Sequence, residues 1–144
     1  MPALLTREQS DAFADRIDKH FEEHGYGLWA VEIVDKAPFI GFVGLHHPRF
    51  DAPFTPCVEV GWWLAYEHWG RGYATEAAAA ALDYGFETLG LGEIVSFTAH
   101  ENLRSRAVME RIGMTHDPLD NFDHPALPEG HRLRPHVLYR MRRL

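Results

Sequence analysis

Between Val58 and Ala81 the chain reads VEVGWWLAYEHWGRGYATEAAAAA, and this run restricts the fold more than any other part. Val58, Val60, Trp62 and Leu64 alternate with Glu59, Gly61 and Trp63, the period-2 pattern of a half-buried strand. A short polar turn, Ala65 to Trp69, leads to Gly70-Arg71-Gly72, and an alanine-rich helix follows. A strand thus runs through glycines into a helix N-terminus. The first amides of such a helix lack intrahelical partners and sit at the positive end of the aligned peptide dipoles. Glycines beside them let an anion reach the backbone, because no Cβ stands in the way. The combination is a seat for phosphate.

Two common phosphate loops do not fit it. A Walker A loop needs Gly-Lys-Ser/Thr, a triplet this sequence lacks. A dinucleotide fingerprint needs a third Gly or Ala where Thr75 stands, inside an opening βαβ unit. Here at least two strands come first with no helix between them.

The remaining elements follow from periodicity and punctuation. Thr6 and Gln9 form a capping box for a helix carrying Phe13, Ile17, Phe21 and His24, stopped by Gly25. Leu28–Val34 and Phe39–His46 read as a hairpin around the turn Asp35 to Pro38, with Gly41 and Gly44 marking close backbone approach or a bulge. Pro48 to Pro56 is a loop. A helix is expected over Thr75–Leu89, stopped by Gly90 and Gly92, then a strand over Glu93–Ala99. Asn102 caps a helix running to Ile112, with Gly113 as its stop. Met114 to His116 is extended, Asp117 to Pro135 is a long Asp/Pro/His-rich segment of the kind that is functional or mobile, and His136–Arg142 alternates as a last strand.

Length and composition set limits on this plan. The chain of 144 residues suits one domain over 1–144 with a sizeable core. No apolar run is long enough to span a bilayer, and the N-terminus lacks the pattern of a signal peptide, so no membrane association is expected. The single cysteine, Cys57, cannot form an internal disulfide, which fits a reducing cytoplasm. A net charge of −7 argues against a non-specific nucleic-acid partner. The ten histidines include no His-Glu-x-x-His and no Cys-x-x-Cys accompanies them, so no metal site is expected.

WGRGYATEA, the EVGWWL strand before it and the block ENLRSRAVMERIGM together resemble the GNAT N-acetyltransferase superfamily, in its RimJ/RimL-like branch. The family pattern Gln/Arg-x-x-Gly-x-Gly/Ala matches with Trp69 in the first place, Gly72 in the second and Ala74 in the third. The resemblance implies an α+β GNAT fold, a mostly antiparallel twisted sheet flanked by helices. It also implies an acetyl-CoA-dependent transfer to a primary amine, either a protein N-terminus or a small molecule. The alternative is an inactive acyl-CoA-binding module. The family normally opens with a strand and a helix ahead of the element placed at Thr6, and the sequence as given starts too late for them: it is truncated, its start is misassigned, or something else completes the sheet edge. A sheet edge left open in this way invites a second copy, so a homodimer is the candidate assembly.

The same resemblance distributes roles. Acetyl transfer needs a deprotonated amine, a polarised thioester carbonyl and a protonated leaving thiolate. Glu59 is the candidate base, with His46 and His47 as rivals; being adjacent on a strand, the two histidines face opposite ways. The backbone of Leu64 and Ala65 would meet the pantetheine arm. The amides of Arg71, Gly72, Tyr73 and Ala74, after the turn at Gly70, would meet the pyrophosphate. Asn102 would hold the pantetheine, cap its helix, or both. Met109 stands where many relatives carry a tyrosine acid, so Ser105 becomes the candidate acid. Arg104 or Arg106 is placed for the phosphates, and His124 and His131, near Asp120 and Asp123, for the acceptor pocket. Cys57, without a supporting motif, is read as structural.

Overall fold

The computed structural model describes residues 6–143. Thr6 opens the first helix, α1 (Arg7–His24), through a complete capping box: its hydroxyl accepts from the Gln9 amide at 3.0 Å, and the Gln9 side chain accepts from the Thr6 amide at 2.9 Å. Gly25 ends it in the left-handed region, φ 76°. The buried residues of α1 are Ile17 and His20. The expected apolar face is therefore displaced by one step, from His24 to His20.

The hairpin follows as β1 (Leu28–Ile33) and β2 (Ala37–His46), with Asp35 at φ 63° in the turn. Gly41 and Gly44 sit where chains approach closely. A Cβ on Gly41 would lie 2.0 Å from the Trp63 carbonyl, and one on Gly44 2.2 Å from the Gly27 carbonyl. β3 (Glu59–Leu64) pairs antiparallel with β2, and β4 (Glu93–Ala99) pairs parallel with β3. Between them α2 (Tyr73–Asp83) crosses one face and ends in a π-helical turn, Tyr84–Thr88. Its alanines bring it close to the sheet: Ala78 and Ala81 are buried against a core that includes Leu45, Val60 and Ile94. Each branched side chain there contributes about 1.5–3 kcal/mol by leaving water.

α3 (Leu103–Arg111) follows β4, then the short β5 (Thr115–His116) and β6 (Phe122–Asp123), and last β7 (Pro135–Arg142). The sheet order is β1-β2-β3-β4-β7-β5, with β6 also on β7. All pairings except β3 with β4 are antiparallel. β7 departs from the expected alternation, because Val137, Leu138 and Tyr139 are all buried. It is an interior strand covered on both faces. The long segment before it is not structureless; a helical turn at Pro118–Asp120 and β6 fold it back along β7.

The parallel pair is very short. It holds at Glu59 opposite Val95, where the Val95 amide donates to the Val58 carbonyl at 2.9 Å. A continued parallel ladder would bring the Phe97 amide to the Val60 carbonyl. Instead the Ser96 hydroxyl donates to that carbonyl at 2.9 Å, and the Phe97 amide turns to Glu59 Oε2 at 3.4 Å. Two side chains thus stand in for ladder partners, and the strands part. Ser96 is 1 % exposed, so Ser96→Ala should leave the Val60 carbonyl without a partner and cost about 1–3 kcal/mol, read as a lowered urea midpoint with an unchanged slope.

Candidate active site

The gap between β3 and β4 opens into a cleft of about 1530 Å³ that runs from the glycine loop to α1 and the segment before β7. Its two ends are built on opposite faces of β3. The Ala65 amide donates to Ile40, on the β2 side, so alternation turns the peptide groups of Val58, Val60, Trp62 and Leu64 toward β4. The Leu64 carbonyl is taken by Trp69 Nε1 at 2.8 Å. Of the strand-end backbone groups expected to meet the pantetheine, the Ala65 amide and the Leu64 carbonyl are thus committed within the protein, and the Leu64 amide points into the gap. Trp69 ties the strand end to the start of the glycine loop.

That loop has the form the sequence demanded. Gly70 and Gly72 both have positive φ, 76° and 81°. A Cβ on Gly72 would meet nothing within 4 Å, so the space beside it is open. Gly72 is the N-cap of α2 with no side-chain cap, and the first amide satisfied inside the helix is that of Glu76, on the Gly72 carbonyl. The amides of Tyr73, Ala74 and Thr75 precede it and are free to bind an anion. Arg71 is exposed, and Tyr73 packs its ring against the core. Arg104 lies with its guanidinium carbon 5.0 Å over the Trp69 ring and near Gly70, which puts a cation at the loop. Arg106 is used elsewhere, on the Tyr139 hydroxyl and the His100 carbonyl. Asn102 accepts from the Ser105 amide at 3.2 Å, so it is the N-cap of α3.

Ser105 sits in the cleft wall, and its Oγ accepts from Trp62 Nε1 at 3.3 Å. An acceptor bond from the indole leaves the hydroxyl proton free to be given away. Met109, 1 % exposed, is a core residue. Trp62 was read only as a strand apolar residue; nothing in a tryptophan at that position announces that its N–H will orient a serine 43 residues later.

On the other face Glu59 is 5 % exposed. Beyond the Phe97 amide, its Oε1 lies 2.6 Å from His46 Nε2. The two are cross-strand neighbours in the β2–β3 register. The contact is close but poorly directed for a hydrogen bond, and it acts as a charge contact when His46 is protonated. His46 and Glu59 are therefore one unit rather than rivals. His47 lies beyond the end of β2 and also lines the cleft, so strand alternation does not send the two histidines to opposite sides; its amide donates to His20 Nε2 at 3.0 Å, its Nε2 bonds the Tyr26 hydroxyl, and its ring stacks on His24 at 4.0 Å.

His20, His24 and His47 thus cluster, their ring nitrogens within 4.8 Å of one another. The spacing of His20 and His24, four apart on a helix, is the signal that the sequence reading passed over. Both nitrogens of His20 are occupied, Nδ1 by the Tyr26 carbonyl at 2.8 Å and Nε2 by the His47 amide. Parallel stacking keeps His24 and His47 from aiming at a common point. The cluster is a strut between α1 and the end of β2.

The end of the cleft away from the glycine loop is walled by Phe50, Phe97, His124 and His136. Burial, with each other's charge second for His124, holds both histidines below the ordinary value. His131 is exposed, and its Nδ1 accepts from the Leu133 amide, away from the cleft. His136 and Phe50 were not singled out from the sequence. Cys57 is half-buried with its thiol pushed up to about 11, chiefly by burial, and is no nucleophile near neutral pH.

A strand pair that parts beside a glycine loop is the geometry of a GNAT domain, and the comparisons agree. The acetyltransferase (GNAT) domain model matches residues 1–115. The Bacillus subtilis protein YkkB is 38% identical over 94 residues, 64% of this chain and 54% of its own length. The FsC-acetyl coenzyme A-N(2)-transacetylase of Aspergillus fumigatus is 44% identical over 62 residues, 43% of this chain and 26% of its own. A crystal structure of an acetyltransferase from Agrobacterium tumefaciens superposes with a TM-score of 0.73 at 34% identity, covering 99% of this chain and 75% of that one. The chain belongs to the GNAT acetyltransferase family. It spans about half or less of the length of these curated relatives. Among the described residues no helix is long and apolar enough to cross a membrane.

Burial, more than the neighbouring histidines, holds His20 and His47 below the usual histidine value. The unfolded chain then binds more protons once pH falls below about 6.5, and stability is lost as pH drops through that value toward the folded pKa. His24, His46 and Arg49 add like charge to the same neighbourhood. Melting temperature should therefore fall on acidification through this window, and fall less in His47→Gln.

Proposed function

We propose that this chain is an acetyl-CoA-dependent N-acetyltransferase, acting as one GNAT domain on a primary amine by direct attack. The observation that carries this reading is the parted strand pair, with Glu59 on one face and the Trp62–Ser105 pair on the other. The site fits the donor: Gly72 leaves open space at an uncapped helix N-terminus, and Arg104 stands beside the loop. Acetyl-CoA supplies the activated acyl group as co-substrate, and no metal has a part in this scheme.

Glu59 takes the proton of the acceptor ammonium, directly or through water, with His46 at its other oxygen to share the charge. The freed nitrogen lone pair forms the C–N bond, and the Leu64 amide, turned toward the gap, would donate to the oxygen on which charge develops. The C–S bond then breaks and Ser105 gives its hydroxyl proton to the thiolate, while the second proton, lost by the nitrogen as the neutral amide forms, returns to Ser105 through solvent. No covalent acyl-enzyme is required, and Cys57 takes no part. A general base of this kind contributes about a hundredfold to ten-thousandfold.

Calorimetry should show saturable acetyl-CoA binding that CoA displaces and ATP does not. Thiol release with an amine panel should then exceed background hydrolysis; binding without any release would instead favour an inactive acyl-CoA-binding module. Glu59→Gln should lower kcat by about a hundredfold or more with acetyl-CoA affinity retained, and Ser105→Ala by a smaller factor. An unchanged rate and pH profile in Glu59→Gln removes Glu59 as the base.

A further inference from the structure

The acceptor half of the cleft has a chemistry of its own. Among the residues lining the whole cleft, the carboxylates are Glu59 and Glu76, and Glu76 belongs to the first turn of α2 at the donor end. Glu59 is already engaged by the Phe97 amide and His46. The arginines that line this cleft outside the glycine loop and α3 are Arg16 on α1 and Arg49 in the loop after β2. Among the described residues neither forms a salt bridge. Arg16 is held over the Phe13 ring, 5.7 Å from its centroid.

The remaining wall is aromatic. Phe50 meets Phe97 edge-on with centroids 5.5 Å apart, and His124 lies 4.6 Å from Phe50 and 5.0 Å from His136. These imidazoles are buried toward their neutral forms and behave as further apolar rings. Phe97 also supplies the amide that holds Glu59, so the aromatic wall begins at the proposed base.

We infer that this half-cleft takes a monoamine with an apolar or aromatic body and an anionic group, of the α-amino-acid kind, and rejects polyamines. The inference rests on the acetyltransferase reading above for the placement of the reacting nitrogen at Glu59. A polyamine carries several charges into the cleft, and each beyond the first needs an acidic partner that the lining does not supply. It also meets Arg16 and Arg49 as like charges. An amino acid presents one ammonium to Glu59, its side chain to the Phe50–Phe97 wall and its carboxylate to the arginines. The same positive field favours the neutral form of the amine, which is the form that attacks. Arginine suits the carboxylate because its planar fork binds two oxygens at once.

The probes are L-phenylalanine, phenethylamine (the same body without the carboxylate) and spermidine. Binding to the CoA-loaded protein is followed by tryptophan fluorescence, and turnover with acetyl-CoA by thiol release. The expected order in both is L-phenylalanine, then phenethylamine, then spermidine, with about tenfold or more between the ends. Replacing both arginines, Arg16→Ala with Arg49→Ala, should narrow the ratio of L-phenylalanine to phenethylamine by about tenfold to a hundredfold, the weight of a charge-assisted pair. Both arginines are exposed, so folding should survive, as circular dichroism would verify. Spermidine binding as well as or better than L-phenylalanine, or a ratio unmoved in the double variant, overturns the inference while leaving acetyl transfer intact. Failure of acetyl-CoA to bind overturns the transferase reading instead; amine binding to the unloaded protein then decides the pocket by the same order.

Discussion

The site depends on how the hydrogen bonding between β3 and β4 stops. One parallel bridge at Glu59 and Val95 brings the strands together, and then the Ser96 hydroxyl and the Glu59 carboxylate take over the bonds the next bridge would have made. Strands that separate in a protein interior leave peptide groups without partners, and each such group is costly. Here the carbonyl of Val60 and the amide of Phe97 are both satisfied by side chains. The start of the opening is therefore built into the fold, and further along the Trp62 peptide groups and the Leu64 amide are turned toward the gap.

The same detail joins structure to chemistry. Glu59 ends the ladder and is also the proposed base, so the carboxylate is held by the bond that makes the gap. Its partner His46 comes from the opposing position on β2, set by register alone. On the far face, Trp62 reaches from the strand to Ser105 on α3, and Trp69 reaches back from the loop to the Leu64 carbonyl. Indole N–H groups thus brace the gap at its donor end, a use of tryptophan in which an apolar body packs and one polar atom fixes an orientation.

The legible part of this protein was the part that local pattern controls. Alternation in EVGWWL, the capping box at Thr6, the cap at Asn102 and the glycines after each helix placed nearly every element to within a residue or two. The glycine loop was legible as a phosphate seat from the strand–glycine–helix pattern, and Glu59 and Ser105 were proposed through the resemblance of their surroundings to a known family. What the sequence concealed depends on contacts between distant segments. Phe50 and His136 come to line one cleft only because the segment before β7 folds back through β6 and sets His124 between them. His20 replaced His24 as the buried histidine because the Tyr26 carbonyl and the His47 amide, neither on α1, give it two partners. Val137, Leu138 and Tyr139 are all buried because β7 lies between β4 and β5, a placement invisible in its own composition.

The three helices differ in one respect that separates structural from functional design. α1 closes its N-terminus with a reciprocal capping box, and α3 with Asn102. α2 has no side-chain cap; its N-cap is a glycine in the left-handed region. A capping side chain is worth about 0.5–2 kcal/mol, so the chain forgoes stability at this one helix start. A serine or aspartate there would place its oxygen over the amides of Tyr73 and Ala74, and an aspartate would add negative charge where a phosphate is to bind. Local rules are obeyed at two helix starts and broken at the third, which is the one proposed to meet the phosphates of the donor. The missing cap is what an anion seat at that helix start requires.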